Sequence, residues 1–350
     1  MTSRVGSLGG LTKSISVATL ISLFLLANPG IALAVDKPGL CDTVTAQLDN
    51  DEMGGTDRNY TGAFRMACVT SPPRFLDGLM PPAPDTGAKT AKRLAYALGT
   101  SVYTPDDLSR SDLIEDDQPY AGWLYLGFAL ERDVVPSSGP RYLDNLELQL
   151  GVVGPYSGAE HLQSLSHEVF GATDPQGWGN QLDNEPGVNL FYSRQWTGAE
   201  VVGVGDQNGD EGLLVDVTPE LGLGLGNIHI FGAAGLSFRF GDFLPDDHGP
   251  NTLRPSLPGS DSFPQEERFS AYLFGGVEGR VVARNIFLDG NTFQDDGPSV
   301  DKNILVGEAR LGLAMTYDNL RFAYTQVFRS QEFDGQSGQV YGSFTLSIAL

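Results

Sequence analysis

The sequence predicts an all-β fold: a single twelve-stranded antiparallel transmembrane β-barrel with a short helical insert in an extracellular-side loop. The first observation is an alternation of apolar with small or polar residues, which places one strand face in hydrocarbon and the other in a lumen. The alternation is clearest at the C-terminus, where the apolar positions are Phe344, Leu346, Ile348 and Leu350. The second observation is length, because several alternating segments run for about 10 to 13 residues, enough to cross a bilayer at a tilt.

Residues 1–34 have the features of a secretory signal peptide, which leaves 35–350 as one outer-membrane β-barrel domain. Arg4 and Lys13 form a basic start, 15–27 is mostly apolar, and Ala32 to Ala34 offers a small-residue cleavage site. The apolar run is too short for a membrane-spanning helix, although an uncleaved anchor is the alternative. We therefore expect export to the outer membrane of a Gram-negative bacterium.

Turn signals divide the rest of the chain into twelve alternating segments. Gly226-Asn227, Asp318-Asn319 and the Asp- and Pro-rich stretch 242–266 mark chain reversals. The predicted strands are 41–51, 59–70, 92–103, 119–132, 141–153, 187–197, 213–225, 228–241, 267–289, 302–317, 320–332 and 339–350. The even number is expected of a single-chain outer-membrane barrel. A periplasmic β-sandwich also has alternating strands, but the strand lengths and a pattern that continues to the last residue favour the barrel, despite a final Leu350 where an aromatic residue is usual.

The composition is strongly acidic, which limits the classes of partner. The formal charge is -22, and removing residues 1–34 takes away Arg4 and Lys13 and no carboxylate, which makes it -24. Such a chain repels phosphates, so we expect no binding to nucleic acid. Divalent cations are compatible with this charge, although a diffuse acidic surface also serves solubility alone.

The chain contains two cysteines, Cys41 and Cys68. In an exported protein such a pair indicates one disulfide. If 41–51 and 59–70 are the arms of a hairpin, the two residues lie opposite each other near its base. Two buried free thiols are the alternative, and the spacing gives no support for a zinc site.

The first polar cluster outside the alternation lies at the tip of this hairpin. Asp49-Asn50-Asp51 ends the first strand, and Asp57 to Gly62, with Thr61, opens the second. Carboxylate, amide and carbonyl oxygens across a hairpin suit a hard cation such as calcium. Ordinary Asx-turn hydrogen bonding at a hairpin tip is the alternative.

The second cluster runs from Tyr103 through Arg110 to Trp123, in a loop and the start of the fourth strand. Its aromatic residues suit a membrane-interface belt, which is a sufficient explanation for Trp123. Arg110 is a rare cation in this loop and is suited to face phosphates or a carbonyl oxygen.

The third cluster is a polar, helix-compatible insert at 154–185. Glu160, Gln163 and His167 fall at i, i+3 and i+7, along one face of a helix. A histidine, with an unperturbed pKa of about 6.5, suits a general base, and Gln163 is placed to orient it or a water. A surface helix that caps the sheet is the alternative. If the N-terminus is periplasmic, the first, third and fifth strands run outward, so all three clusters meet at the extracellular end.

Motifs in these clusters resemble the outer-membrane lipid A 3′-O-deacylases of Gram-negative bacteria, over essentially the whole mature chain. The matching pieces are Asn50-Asp51, Asp57 with Tyr60-Thr61-Gly62, Asp117 to Trp123, Gly154-Pro155, Gln163 to His167, Gly177-Trp178 to Gln181, and Asn285 to Asn291. The chain departs from the family at Gln118, where an arginine is frequent, and at Thr173, where some members carry glutamate. No G-x-S-x-G nucleophile motif is present.

The resemblance implies a calcium-dependent hydrolase that removes an ester-linked acyl chain, the 3′-O-linked acyloxyacyl group, from lipid A of lipopolysaccharide. It implies His167 as the base that activates water and Asp51 as a Ca²⁺ ligand, with Asn50, Thr61 and Gln163 lining the site. Arg110 falls near a family lysine in a loop of variable length. The expected partners are lipopolysaccharide and outer-membrane lipids, with the chain as a monomer. The alternatives are a non-enzymatic barrel, either a small channel or an adhesin, and an outer-membrane phospholipase.

Overall fold

The computed structural model describes residues 40–55, 58–80, 87–170, 174–198, 200–204, 213–257, 259–294 and 297–350. The predicted signal peptide at 1–34 lies outside these ranges and stays a prediction. The strands are β1 Thr43–Asn50, β2 Asn59–Thr70, β3 Lys89–Thr104, β4 Ala121–Val135, β5 Tyr142–Val153, β6 Glu185–Gln195, β7 Glu200–Val204, β8 Leu213–Gly226, β9 His229–Gly241, β10 Glu266–Asn285, β11 Leu305–Asp318, β12 Leu320–Arg329 and β13 Gln339–Ala349. The α-helices are α1 Ala159–Phe170 and α2 Ile286–Asp289, and 3₁₀ turns lie at Glu52–Gly54, Arg74–Gly78, Pro155–Ser157 and Trp178–Asn180.

The strands form a closed antiparallel β-barrel with twelve positions. Each strand pairs with the next along the chain, except that β6 pairs with β8 and not with β7, and β1 pairs with β13. β6 and β7 occupy one position, because both pair with β8, at Gln195↔Glu220 and Glu200↔Val217. Gly198, with a φ of 65°, lies in the interruption between them, a conformation that glycine adopts without strain. The predicted twelve-stranded barrel with a short helix is therefore confirmed, and closure of the sheet excludes the β-sandwich.

Two details differ from the predicted strand list. The predicted strand 187–197 corresponds to β6, and the prediction missed β7, which continues the same barrel position after an interruption. The predicted strand 267–289 ends at Asn285. The Asn285 side chain accepts a hydrogen bond from the Phe287 backbone N–H at 3.2 Å, which caps α2 in place of a continued strand. Within the described residues, no helix has the length and apolar character needed to cross a membrane.

The two faces of the barrel wall differ as the alternation predicts. On β3 the side chains of Tyr96 and Leu98 are exposed on the outer face, whereas Ala95 and Ala97 are buried on the lumen face. Leu98 pairs across the sheet with Leu126, which is also exposed. Exposed apolar side chains in cross-strand rows form the outer band that a membrane barrel requires.

The lumen is filled by the connection between β9 and β10. We call the described residues 247–257 and 259–261 the inner segment. Arg65 on β2 forms two hydrogen bonds with the Asp261 carboxylate, at 2.9 and 2.7 Å, and Arg254 donates to Glu147 on β5 at 2.9 Å. Asp247 at the start of the segment accepts a hydrogen bond from Arg239 on β9, across the barrel from β2, at 2.6 Å. Since its contacts reach opposite parts of the wall, the inner segment lies inside the barrel. The sequence predicts this stretch as a turn but not its position in the lumen.

We expect Asp261→Ala to lower the free energy of unfolding by about 3–5 kcal/mol, because it leaves the Arg65 guanidinium buried without its carboxylate. Both side chains are at most 5% exposed, so water cannot substitute for the lost partner. Urea titration of the folded fraction in detergent measures the change. Asp246→Ala, which removes an exposed carboxylate paired with Arg141, is the control, and an equal loss in both variants would contradict the prediction.

The predicted disulfide is confirmed. Cys41 and Cys68 are bonded, with their Cα atoms 5.3 Å apart and a sequence separation of 27. The bond lies at the base of the β1–β2 hairpin, at the opposite end from the connection 51–58. It ties the first strand of the barrel to the second where the chain enters the sheet.

Candidate active site on the outer wall of the barrel

The three polar clusters lie at one end of the barrel. β1, β3 and β5 run in the same direction, so the connections 51–58, 105–120 and 154–184 follow their ends on the same side. We call this side the loop end. Its assignment as the extracellular side stays a prediction, because it depends on a periplasmic N-terminus.

Helix α1 begins where the insert turns back onto the barrel. The Ser157 hydroxyl oxygen accepts a hydrogen bond from the Ala159 backbone N–H at 3.3 Å, and the Leu162 N–H donates to the Gly158 carbonyl at 3.1 Å. Glu160 lies in the first turn, where its negative charge complements the helix dipole, and His167 lies in the last turn. The predicted helical insert is therefore present at Ala159–Phe170.

The insert covers the outer face of the wall. Gly122 and Val102 are cross-strand partners on the same face as the exposed Leu98 and Leu126. A Cβ on Gly122 would lie 2.3 Å from the Ala159 Cβ, so only glycine permits this close approach. Val102 is buried against the side chains of a small apolar cluster, namely Leu108, Tyr120, Ala159 and Trp178. The insert therefore lies against the outer wall and not over the lumen.

The buried face of α1 carries two of the predicted site residues. Ala159, Gln163 and His167, at i, i+4 and i+8, are buried, with Gln163 and His167 at 3% and 5% exposure. Glu160, which the sequence placed on the same face, is exposed. The face that meets the wall is thus centred on Gln163.

Trp178 holds the Gln163 side chain. The Trp178 indole N–H donates a hydrogen bond to Gln163 Oε1 at 2.9 Å, and the Trp178 ring packs against Tyr120 with ring centroids 5.0 Å apart. The other end of the amide, Gln163 Nε2, is buried with no hydrogen-bond partner among the described residues. A buried N–H group without a partner costs free energy, so Gln163 presents a donor that is ready for an oxygen acceptor.

Asp51 and Thr61 are connected across the hairpin. The Asp51 carboxylate is fully buried and accepts a hydrogen bond from the Arg58 backbone N–H at 2.6 Å. The Asp51 backbone N–H donates to the Thr61 carbonyl at 3.2 Å. Asn50, the last residue of β1, accepts a hydrogen bond from the Glu52 N–H through its side-chain oxygen at 2.8 Å. The hairpin tip therefore contains both the ordinary Asx-type hydrogen bond, at Asn50, and a buried carboxylate, at Asp51.

The Thr61 hydroxyl is oriented by a β-bulge. The register of β2 and β3 shifts between Tyr60 and Gly62, so Thr61 has no direct partner in the ladder. Its hydroxyl oxygen lies 2.6 Å from that of Thr104, which ends β3 on the same outer face as Val102. Thr104 is fully buried. It is a candidate site residue that the sequence analysis missed, because a bulge is not visible in the alternation.

Arg110 lies at the surface of the second connection. Its side chain is 43% exposed, and its guanidinium forms an ion pair with Asp112 at 2.5 Å. The hydrogen bond to the Asp112 carboxylate raises the pKa of Arg110 above its usual value. The guanidinium donates hydrogen bonds to both oxygens of the Asp112 carboxylate, which is not one of the predicted site residues, so the role of Arg110 at the site stays a prediction.

The oxygen atoms at the hairpin tip match the chemistry of calcium better than that of zinc. Asp51 supplies a carboxylate, and Thr61 and Thr104 supply hydroxyls, which are hard ligands. Within the part of the chain that the structure describes, no group of three or more His, Cys, Asp or Glu side chains is clustered as a metal site. Asp57 and Thr173 lie outside the described residues. These oxygen donors are of the type that Ca²⁺ accepts, and the calcium ion and the role of Asp51 as its ligand stay predictions.

Gln118, one of the two departures from the family motif, joins two connections at the loop end. Its side chain is buried, and its amide N–H donates to the Phe287 carbonyl in α2. The neighbouring Asp117 accepts hydrogen bonds from the backbone N–H groups of Asp106 and Gln118 at 2.7 Å each. Burial raises the pKa of Asp117. Gln118 thus has a structural role that does not require a positive charge.

These observations define an outer-membrane β-barrel with a polar candidate site on its outer wall, at the loop end. The chain belongs to the family of the outer membrane protein LpxR, whose family model matches residues 19–350. Membership confirms the resemblance to the outer-membrane lipid A 3′-O-deacylases and the location in the outer membrane. Among curated proteins, none matches this chain.

Solved structures agree with this fold. LpxR from Salmonella typhimurium superposes with a TM-score of 0.68 at 20% sequence identity, over 88% of this chain and all of that chain. The β-domain of the Bordetella autotransporter BrkA gives a TM-score of 0.41 at 9% identity, over 88% of this chain and 99% of that one. The translocator domain of NalP from Neisseria meningitidis gives 0.40 at 10% identity, over 95% and 96%. At these identities the first likeness shows the fold alone, and the other two are too distant to support an argument.

Proposed function

We propose that this chain is a calcium-dependent hydrolase that removes the 3′-O-linked acyloxyacyl group from lipid A in the outer membrane. The observation that carries the proposal is the position of Gln163 and His167, buried on the face of α1 that packs on the outer wall. Both side chains lie on the outside of the barrel, between the helix and the wall. This is the side on which membrane lipids and their esters are found, and not the side of the lumen.

His167 is the general base in this proposal. It takes a proton from water, which attacks the ester carbonyl, and returns the proton to the sugar oxygen as the carbon–oxygen bond breaks. The Gln163 Nε2 donor orients the water or the carbonyl oxygen. Asp51, beside Asn50 and Thr61, would hold the calcium ion, whose contribution when bound is positive charge near the developing oxyanion. Arg110 is the second candidate for that charge.

Mass spectrometry of lipid A tests the proposal directly. Cells that express the protein with calcium present are expected to contain lipid A lighter by the mass of the 3′-O-linked acyloxyacyl group, and cells without the protein are not. An acyl pattern unchanged by the protein would overturn the enzymatic proposal. Purified phospholipid and lipid A offered side by side separate lipid A deacylation from phospholipase activity.

We expect no ion conductance through the barrel in planar bilayers, because the inner segment fills the lumen and is held there by buried ion pairs such as Arg65–Asp261 and Arg321–Asp247. A porin in the same bilayers is the positive control. Stable conductance steps would favour the alternative of a small channel.

We expect Trp178→Phe to lower kcat for lipid A deacylation about tenfold, because the ring remains packed on Tyr120 while the hydrogen bond to Gln163 is lost. A hydrogen bond of this kind is worth about 1–1.5 kcal/mol, and about 1.4 kcal/mol corresponds to tenfold. Initial rates on purified lipid A measure the change. Trp196→Phe, in the interruption between β6 and β7, is the matched control.

Trp178 acts through Gln163 in this account, so the two effects are expected not to add. In a Gln163→Ala background, Trp178→Phe is expected to cause no further loss of rate. A full additional tenfold loss in that background would assign Trp178 a separate, structural role.

A further inference from the structure

The exposed surface of α1 is divided into an apolar side and a polar side. The buried face is centred on Gln163, and successive residues turn by about 100° around the helix axis. Leu162 and Leu165, exposed at 42% and 59%, fall together on one side of that face. Glu160 and Glu168, both exposed, fall on the other side. We call the Leu162–Leu165 side the apolar flank.

The start of α1 lies next to the outer apolar band of the barrel. The start of α1 covers the Val102–Gly122 pair on the outer wall. Four residues further along both strands, on the same face, the Leu98–Leu126 pair is exposed at 51% and 53%. At about 3.3 Å per residue, the two pairs are about 13 Å apart, which is less than the height of about 25 Å of a barrel's apolar band. The helix therefore begins at the edge of the surface that contacts lipid.

We propose that α1 is an interfacial helix whose apolar flank lies among the acyl chains of the adjacent membrane leaflet. The two exposed leucines continue the lipid-facing surface, and the glutamates on the other side remain in water, the distribution of a helix that lies in the interface plane. The position of the helix does not depend on the proposed function. A second half of the inference, the presentation of a lipid ester to the site, rests on that function. Contact of the flank with acyl chains brings the ester of a lipid to the edge of the face that carries Gln163 and His167.

Spin labels test the position of the helix without any reference to activity. The two native cysteines form a disulfide, so Leu165→Cys and Glu168→Cys each introduce one free thiol for a nitroxide label, in protein reconstituted into phosphatidylcholine vesicles. Oxygen collects in hydrocarbon, whereas a nickel chelate stays in water. We expect the label at 165 to collide with oxygen several-fold more than with the chelate, and the label at 168 to show the reverse order.

Two results would overturn the interfacial position. One is equal access of the nickel chelate to both labels, which would place the whole exposed surface in water. The other is dipolar broadening between labels at 165 in neighbouring proteins, which would show that a second copy of this chain covers the flank.

Kinetics test the second half of the inference, which is that the apolar flank presents the lipid substrate to the site. The double variant Leu162→Gln/Leu165→Gln is expected to raise KM about tenfold for lipid A in bilayers, with little change for lipid A dispersed in detergent. Glu160→Gln/Glu168→Gln is the control and is expected to leave both values unchanged. An unaltered KM in bilayers would remove the role in substrate presentation. A wild type that is inactive in both media would refute the proposed function and leave the spin-label result to decide the position of the helix.

Discussion

Replacing His167 with alanine is expected to lower kcat for lipid A deacylation by about 100- to 10,000-fold, the usual contribution of a positioned general base. The side chain is 5% exposed on the face of α1 that packs on the wall, so no solvent group takes its place. The measurement is a time course of acyl release from purified lipid A, followed by mass spectrometry. In whole cells, the lipid A of the variant is expected to keep all of its acyl chains.

The matched control for this variant lies on the same helix. His161→Ala removes an exposed imidazole from the first half of α1 and makes the same chemical change. We expect His161→Ala to retain the wild-type rate. Equal losses in the two variants would indicate damage to the helix and would contradict the assignment of His167 as the base.

Asp51→Asn is expected to raise the calcium concentration for half-maximal activity by about tenfold or more. The substitution keeps the size of the side chain and removes the anionic charge of the proposed Ca²⁺ ligand, and ligand charge tunes calcium affinity. The wild type is expected to lose activity in a chelator and to regain it with added calcium. Initial rates against free calcium concentration measure both effects.

Asp107→Asn is the control for charge alone, because Asp107 is an exposed carboxylate in the second connection, hydrogen-bonded to Ser109. This variant is expected to have the calcium dependence of the wild type. Full activity of the wild type in the chelator would refute the metal-assisted mechanism, and the loss in Asp51→Asn would then need another cause.

Much of the barrel is predictable from the sequence, because a strand with one face in lipid must alternate with a period of two. The predicted and observed strands agree at most boundaries to within about three residues. The sixth strand is interrupted where Gly198 adopts a positive φ, and a local backbone turn of this kind does not change the alternation on either side. The inner segment was not predictable, because its place in the lumen depends on pairs such as Arg65–Asp261 between residues 196 positions apart.

The candidate site was predictable in its composition but less so in its geometry. Strand direction alone brings Asn50, Asp51 and His167 to the same end of the barrel, and this follows from the order of the strands. The position of α1 on the outer side of the wall depends on packing at Gly122, and the placement of the Thr61 hydroxyl depends on a β-bulge. Trp178 and Thr104 act through hydrogen bonds to predicted residues, and no spacing rule indicates such partners.

Under the proposed function, the outer-wall position of the candidate site determines how a lipid substrate reaches it. A lipid does not have to leave the membrane or pass through the barrel, since its approach is lateral diffusion within one leaflet. The rate of encounter is then set by the mole fraction of substrate among the surrounding lipids. At a fixed total amount of substrate, diluting the membrane with inert lipid slows such an enzyme, whereas diluting the suspension with buffer does not.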